Sequence, residues 1–270
     1  MSNIAATRFL FGSIVKQRRL LFEMARRDVS DRYAGQILGT VWAVIHPVMT
    51  IAVFIFMFAV VFRMKVDGGL DIPGDHTLYM VSGLVPWLVI ADVLGRSSSI
   101  VSSQASLVKQ VVFPVEILPV KMVLASLPTF LIGFAGLAVY GLAVGRATPA
   151  LLLYPLAALP LYLLLFGVAF VLSAVGIFLR DIREIVQMYT LVGMYVAPIF
   201  YFMDWVPARL RWVVYLNPVT VFVEMFHDAA YYGGIRSWLI WFVALAMGGL
   251  MTWLGAMLFA RLKPHFGSYL

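Results

Sequence analysis

Three ionisable side chains stand at a spacing that metal or acid–base chemistry uses. Glu224, His227 and Asp228 fall at i, i+3 and i+4, so a helix puts them on one face. Two carboxylates flanking an imidazole suit a divalent cation or a proton-transfer pair. No fourth ligand is in view, and His46, His76 and His265 are scattered along the chain. A polar face on an interfacial helix accounts for the same trio, and no metal is expected. A second pair, Asp92 and Arg96, lies one helical turn apart in an otherwise apolar stretch. It reads as a structural ion pair at a membrane rim or as a proton relay. A lone charge at mid-membrane costs roughly 3 kcal/mol on insertion scales, which a partner one turn away offsets.

Other chemistry is excluded by what is missing. There is no G-x-x-x-x-G-K-[ST], no H-E-x-x-H and no G-x-S-x-G, so neither a phosphate-binding loop nor these hydrolase signatures are present. The absence of cysteine removes disulfides, thiolate metal sites and cysteine nucleophiles. Nothing here points to an enzyme or to a cofactor held by this chain.

The elements that position these residues follow from composition. Of 270 residues, 63% are hydrophobic and 12% charged, with a mean hydropathy of +0.95. Soluble domains carry about 25% charged residues, so an ordinary soluble enzyme, a disordered chain and a fibrous repeat are all excluded. Long runs poor in charge predict six membrane-spanning helices, at 36–62, 78–98, 117–144, 150–179, 184–203 and 237–260. The runs are too long for barrel strands. The expected fold class is all-α, a single membrane domain over 1–270.

Charge bias sets the expected orientation. With the N-terminus inside, 14 of the 20 basic residues fall on inner segments and 6 on outer ones. Both termini are therefore expected to be cytoplasmic, and the net charge of +7 needs no nucleic-acid partner. The first residues lack the basic and small-residue pattern of a cleaved signal, so none is expected.

Three non-spanning segments carry patterns of their own. Residues 4–32 read as a basic amphipathic helix in the membrane interface, held by apolar burial and anionic lipid. It is either a plain anchor or a mechanical element. The inner loop at 100–114 is polar, then half apolar, and ends at Pro114; it predicts a short surface helix, a connector or a docking element. Residues 206–234 predict two short outer helices, the second starting at Asn217-Pro218 and stopped by Gly233-Gly234. Such backbone is tolerated at membrane depth only when buried in protein or lining a cavity.

The order of several short motifs resembles one family. Arg26-Arg27-Asp28, Arg32-Tyr33, Leu38-Gly39, Trp42 and His46-Pro47 are similar to the opening of type-two ABC exporter permeases. The closest resemblance is to the polysaccharide and teichoic-acid branch, the Wzm and TagG type. Phe113-Pro114-Val115-Glu116-Ile117-Leu118-Pro119, Arg180-Asp181-Ile182, Ala197-Pro198-Ile199-Phe200-Tyr201 and Asn217-Pro218 with Glu224 resemble later motifs of that branch. The match runs across nearly the whole chain. His46 stands where a Gln or similar residue is common, and Ser30 and Ala34 replace frequent basic residues.

The resemblance implies a transport subunit in a bacterial inner membrane. Its partners would be a second copy of itself, two copies of a separate ABC ATPase that binds the ATP and Mg, membrane lipid, and a lipid-linked glycan such as O antigen, capsule or teichoic acid. It further implies ATPase coupling through Ser106, Lys109, Val112, Phe113, Pro114 and Glu116. Arg27, Asp28, Arg32, Tyr33, Arg180 and Asp181 would form the interface helix and inner rim, the last two with Glu116 relaying motion or anchoring helix ends. Trp212, Asn217, Pro218 and Glu224 would belong to an outer gate. Spans one and five would line the path, where Phe54, Phe58 and Phe62 form one stripe and Tyr189, Tyr195 and Tyr201 add rings with hydroxyls. Sugars stack on such rings, yet aromatics also serve as lipid-facing packing. A drug or small-lipid exporter is the alternative, and an intramembrane transferase using His227, Glu224 or Asp228 a more distant one. Gly248, Gly249 and Gly255 permit close helix approach, with dimer contact one use for it.

Overall fold

The structure, a computed structural model, describes residues 12, 14–61, 75–109 and 113–269. Every regular element among them is helical. The first is α1, Arg18–Asp31. Helix α2, Trp42–Ile55, follows a 3₁₀ turn at Gly39–Val41 and continues as a π-helical turn over Phe56–Val61. Helix α3 is His76–Ser97, and α4 is the single turn Ala105–Val108. Helices α5, Ile117–Leu124, and α6, Leu127–Ala143, are two halves of one rod. Helix α7 runs Leu153–Phe178 and α8 Ile182–Val196. Helices α9, Arg211–Leu216, and α10, Val219–Ala230, precede α11, Trp238–Leu262, and α12, Phe266–Tyr269.

Local chemistry explains the ends. Asp75 caps α3, its Oδ1 accepting the Thr77 N–H at 2.8 Å, while Tyr140 Oη donates to its Oδ2 at 2.5 Å. Pro128 stands in the first turn of α6; it has no N–H for the Leu124 carbonyl, so the rod breaks there. Gly233, at φ 73°, turns the chain out of α10 where a side chain would be strained.

Five stretches are long and apolar enough to cross a membrane: Gly39–Val61, His76–Ser97, Ile117–Ala143, Pro149–Phe178 and Trp238–Tyr269. The remaining predicted span, 184–203, departs from expectation. Its helix ends at Val196 after 15 residues, short of the roughly 20 that a full crossing needs. Pro198 is the cause. It cannot donate to the carbonyl of Met194, and it forces Ala197 into an extended conformation at ψ 143°.

Packing is dense on one side of the bundle. Helices α7 and α11 meet backbone to backbone, for a Cβ on Gly167 would strike the main chain of Met251 and Thr252. Gly255 abuts the Gly167 carbonyl in the same way. Thr252 Oγ1 lies 2.5 Å from the Leu163 carbonyl and 2.9 Å from that of Gly248. Two of the three glycines considered for a dimer contact, Gly248 and Gly255, are therefore spent within the chain, whereas Gly249 faces open space. Helix α10 is buried over almost its whole length against α3, α7 and α11.

Candidate functional site

The stripe on α2 and the broken end of α8 come together in one cleft. Phe54 and Phe58 stack at 6.3 Å between centroids, and each stacks on Phe200, at 5.7 and 6.1 Å. Tyr195 closes the group, 5.8 Å from Phe200. With Val53, Met57 and Met194 these rings line a cleft of about 450 Å³ without a charged residue. Phe62, the third member of the predicted stripe, lies outside the described residues. The other two tyrosines have different work. Tyr189 packs on Trp87 and donates its hydroxyl to Asn217 Oδ1 at 2.8 Å. Tyr201 bonds back to the Val196 carbonyl at 2.5 Å.

Phe200 reaches the cleft because the chain at 197–202 is not helical. Unpaired backbone carbonyls at membrane depth must find donors inside the protein. Tyr79 Oη supplies one, donating to the carbonyls of Pro198 at 3.0 Å and Tyr201 at 3.2 Å. His227 Nε2 lies 3.0 Å from the same Pro198 carbonyl, and its Nδ1 is 2.7 Å from Ser82 Oγ. Burial pushes His227 down to about 3, so the ring is neutral. The carbonyl cannot donate, which puts the proton on Nε2 and leaves Nδ1 as an acceptor that shares the single Ser82 hydroxyl proton with the Tyr79 carbonyl, 2.6 Å from Oγ. Tyr79 stacks on the imidazole at 3.7 Å, and Gly83 leaves room for it, since a Cβ there would meet Cε1 at 2.8 Å.

The Glu224, His227 and Asp228 trio, read from the sequence as a polar face on an interfacial helix, is enclosed by protein. All three are buried, and they do not converge. Asp228 takes Arg236 Nε at 2.7 Å and Trp241 Nε1 at 3.2 Å, while His227 serves the α8 break. Burial raises Glu224 above the usual carboxylate range, with Arg236 opposing. Among the described residues no three His, Asp or Glu side chains group as a metal site. Asn217 caps α10, its Oδ1 accepting the Val219 N–H at 3.1 Å, next to Pro218. Trp212 on α9 is exposed.

At the predicted inner rim the Asp92–Arg96 pair is present, Nη2 to Oδ2 at 2.7 Å, within a network that the spacing does not reveal. Asp28 on α1 bonds Arg96 at 2.9 Å and Lys121 at 3.3 Å, and Arg32 reaches Asp92 at 3.2 Å and Asp28 at 3.5 Å. The network pins α1 to α3 and α5. Glu116, buried just before α5, holds Lys263 at 2.6 Å. Tyr33 stacks on His46 at 6.2 Å, and Arg27 is exposed.

The segment expected to contact an ATPase is short and polar. Ser106 and Lys109 are exposed, and Phe113 and Pro114 are half-buried, with Phe113 packed on the core. Val112 lies outside the described residues. Beside this segment a cavity of about 410 Å³ is lined by Ser98, Ser99, Ser102, Arg180, Arg183 and Tyr269, among others. Asp181 stands at the N-terminal edge of α8, exposed.

Apolar helices long enough to cross a bilayer several times define a multi-pass α-helical membrane protein. Residues 19–231 match the profile of the ABC-2 type transporter family, and the chain belongs to that family. It is 26% identical over 254 residues to an O-antigen export system permease protein RfbA of Klebsiella pneumoniae, covering 93% of this chain and 95% of that protein. A second such protein of the same species is 25% identical over 256 residues, with the same coverage. One from Myxococcus xanthus is 26% identical over 193 residues, 71% of this chain and 72% of its own length.

Proposed function

We propose that this chain is the membrane subunit of an ATP-driven exporter that moves a lipid-linked polysaccharide, of the O-antigen, capsule or teichoic-acid kind, out across the bacterial inner membrane. The observation that carries this is the cleft formed by Phe54, Phe58, Tyr195 and Phe200. Aromatic faces take the C–H side of sugar rings, and a wall without charges passes many units without holding one. The names of the relatives support the same cargo.

The working unit in this reading is two copies of the chain with two ATPase subunits, since the sequence has no phosphate-binding loop. The termini are cytoplasmic, following the bias of basic residues. Closure of the ATPase pushes the segment around Ala105–Val108, and the α1 network transmits the push to α3 and α5. Helices α9 and α10 gate the outer end.

The test is a deletion strain with glycan assayed separately at the surface and inside. Lipid-linked polymer that accumulates inside as the surface loses it is the expected result, and its composition names the cargo. Unchanged surface polymer overturns the proposal in favour of a small-lipid or drug exporter. Loss from both places, with synthesis shown free of feedback, points to a transferase instead.

A further inference from the structure

Behind α1 lies a second cleft that the transport path does not use. It occupies about 540 Å³ between one face of α1 and the break separating α5 from α6. Its inner wall is apolar: Ala25 and Val29 on α1 face Leu124, Ala125, Leu127 and Pro128. Ala25 and Ala125 are small, and the rod breaks at Pro128, where the lining passes from one helix to the next.

Polar residues share this lining. Arg26, Ser30 and Thr40 are exposed, and among the described residues none of them makes a side-chain hydrogen bond or ion pair. Phe22, 64% exposed, stands beside them. The cleft thus sets a cation and two hydroxyls beside an apolar wall.

That combination matches one kind of molecule, a lipid with an anionic head. We infer that the cleft binds a single anionic phospholipid of the inner leaflet, its phosphate on Arg26 with Ser30 and Thr40, and one acyl chain along Ala25, Ala125 and Leu127. Charge complementarity favours this occupant over a peptide. On α1, Arg19 is neutralised by Glu23, and Arg32 by Asp92 and Asp28, while Arg18, Arg26 and Arg27 make no ion pair among the described residues. An arginine–phosphate contact is charge-assisted and survives partial hydration. The proposal needs only a membrane and stands apart from the identity of the cargo.

The test is native mass spectrometry of the full-length chain in mild detergent, titrated with phosphatidylglycerol, phosphatidylethanolamine or undecaprenyl phosphate. Wild type should retain one phosphatidylglycerol per chain and release phosphatidylethanolamine at least about tenfold more readily. Arg26→Gln should weaken phosphatidylglycerol by about tenfold, Arg26→Lys by less, and Thr40→Trp should block the cleft. Both sites are exposed, so the melting temperature in lipid-free detergent should stay within about 2 °C of wild type. Equal retention by wild type and Thr40→Trp overturns the inference, as does equal retention of the two phospholipids. Displacement of phosphatidylglycerol by equimolar undecaprenyl phosphate overturns it too, by assigning the cleft to a polyprenyl carrier.

Discussion

Span one and α3 are both apolar helices, yet the molecule treats them in opposite ways. In their most apolar windows 78% of α3 is buried and only 11% of span one. Helix α3 is enclosed by α6, α7, α8 and α10, while span one leans on α6 and α3 and leaves Val44, Val48, Val53 and Val60 uncovered. In lipid an apolar side chain gains little by burial against another apolar one, so tight packing must come from shape and from hydrogen bonds. The enclosed side has both, in its glycine contacts and in the Tyr79–His227–Ser82 chain. The open side carries the aromatic cleft. The difference separates a scaffold from a working surface, and mutations should divide the same way.

The largest effect should come from breaking the scaffold. Gly167→Leu drives a side chain into the backbone of Met251 and Thr252 and should cost more than about 4 kcal/mol, abolishing monodisperse protein in size-exclusion chromatography. Gly249→Leu, next in sequence to Gly248 but facing open space, should elute as wild type. Next is Asp28→Asn, which strips the shared anion from Arg96 and Lys121. Removing one partner of a buried pair costs about 3 kcal/mol, discounted here because these side chains keep part of their exposure, and thermal unfolding should reveal it.

A pH scan tests His227. Its folded pKa of about 3 lies below the unfolded value of 6.5, so the unfolded chain takes up the proton first. Stability contributed by the neutral ring is whole above pH 6.5 and falls as pH drops toward 3, by up to about 1.4 kcal/mol per pH unit. A His227→Gln variant should flatten that slope while starting from lower stability. The smallest structural effect belongs to the open side. Tyr195→Ala should shift unfolding by under about 1 kcal/mol, in the range of exposed substitutions, yet reduce export. Normal surface polymer in a Tyr195→Ala, Phe200→Ala double variant would break the comparison.

Much of this division was legible in the chain itself. Charge-poor runs locate the five qualifying spans, because bilayer thickness fixes their length, and the i, i+4 stripe of Phe54 and Phe58 follows from helix geometry alone. Pro198 was visible, but a proline in an apolar run signals a kink as often as an end. Whether the helix resumes depends on donors from Tyr79 and His227, more than 100 and nearly 30 residues away. Asp28 entered through the resemblance as an interface-helix and rim residue, but its partners were not legible, since they sit 68 and 93 residues downstream. Phe200 entered as part of a motif, and its place in the cleft depends on the same break. Local periodicity reveals faces, and long-range pairing decides what those faces meet.

The seam between α7 and α11 also bears on how the protein is made. Helix α11 is the last of the five spans to leave the ribosome, and chains fold as they emerge. Until it arrives, α7 presents a furrow of main chain at Pro160, Leu163 and Gly167 to the bilayer, with Gly248, Thr252 and Gly255 still to come. A nascent chain halted before α11 therefore exposes the surface that a membrane quality-control protease or an insertion chaperone is equipped to recognise, and commitment to the finished bundle is made at the final insertion step.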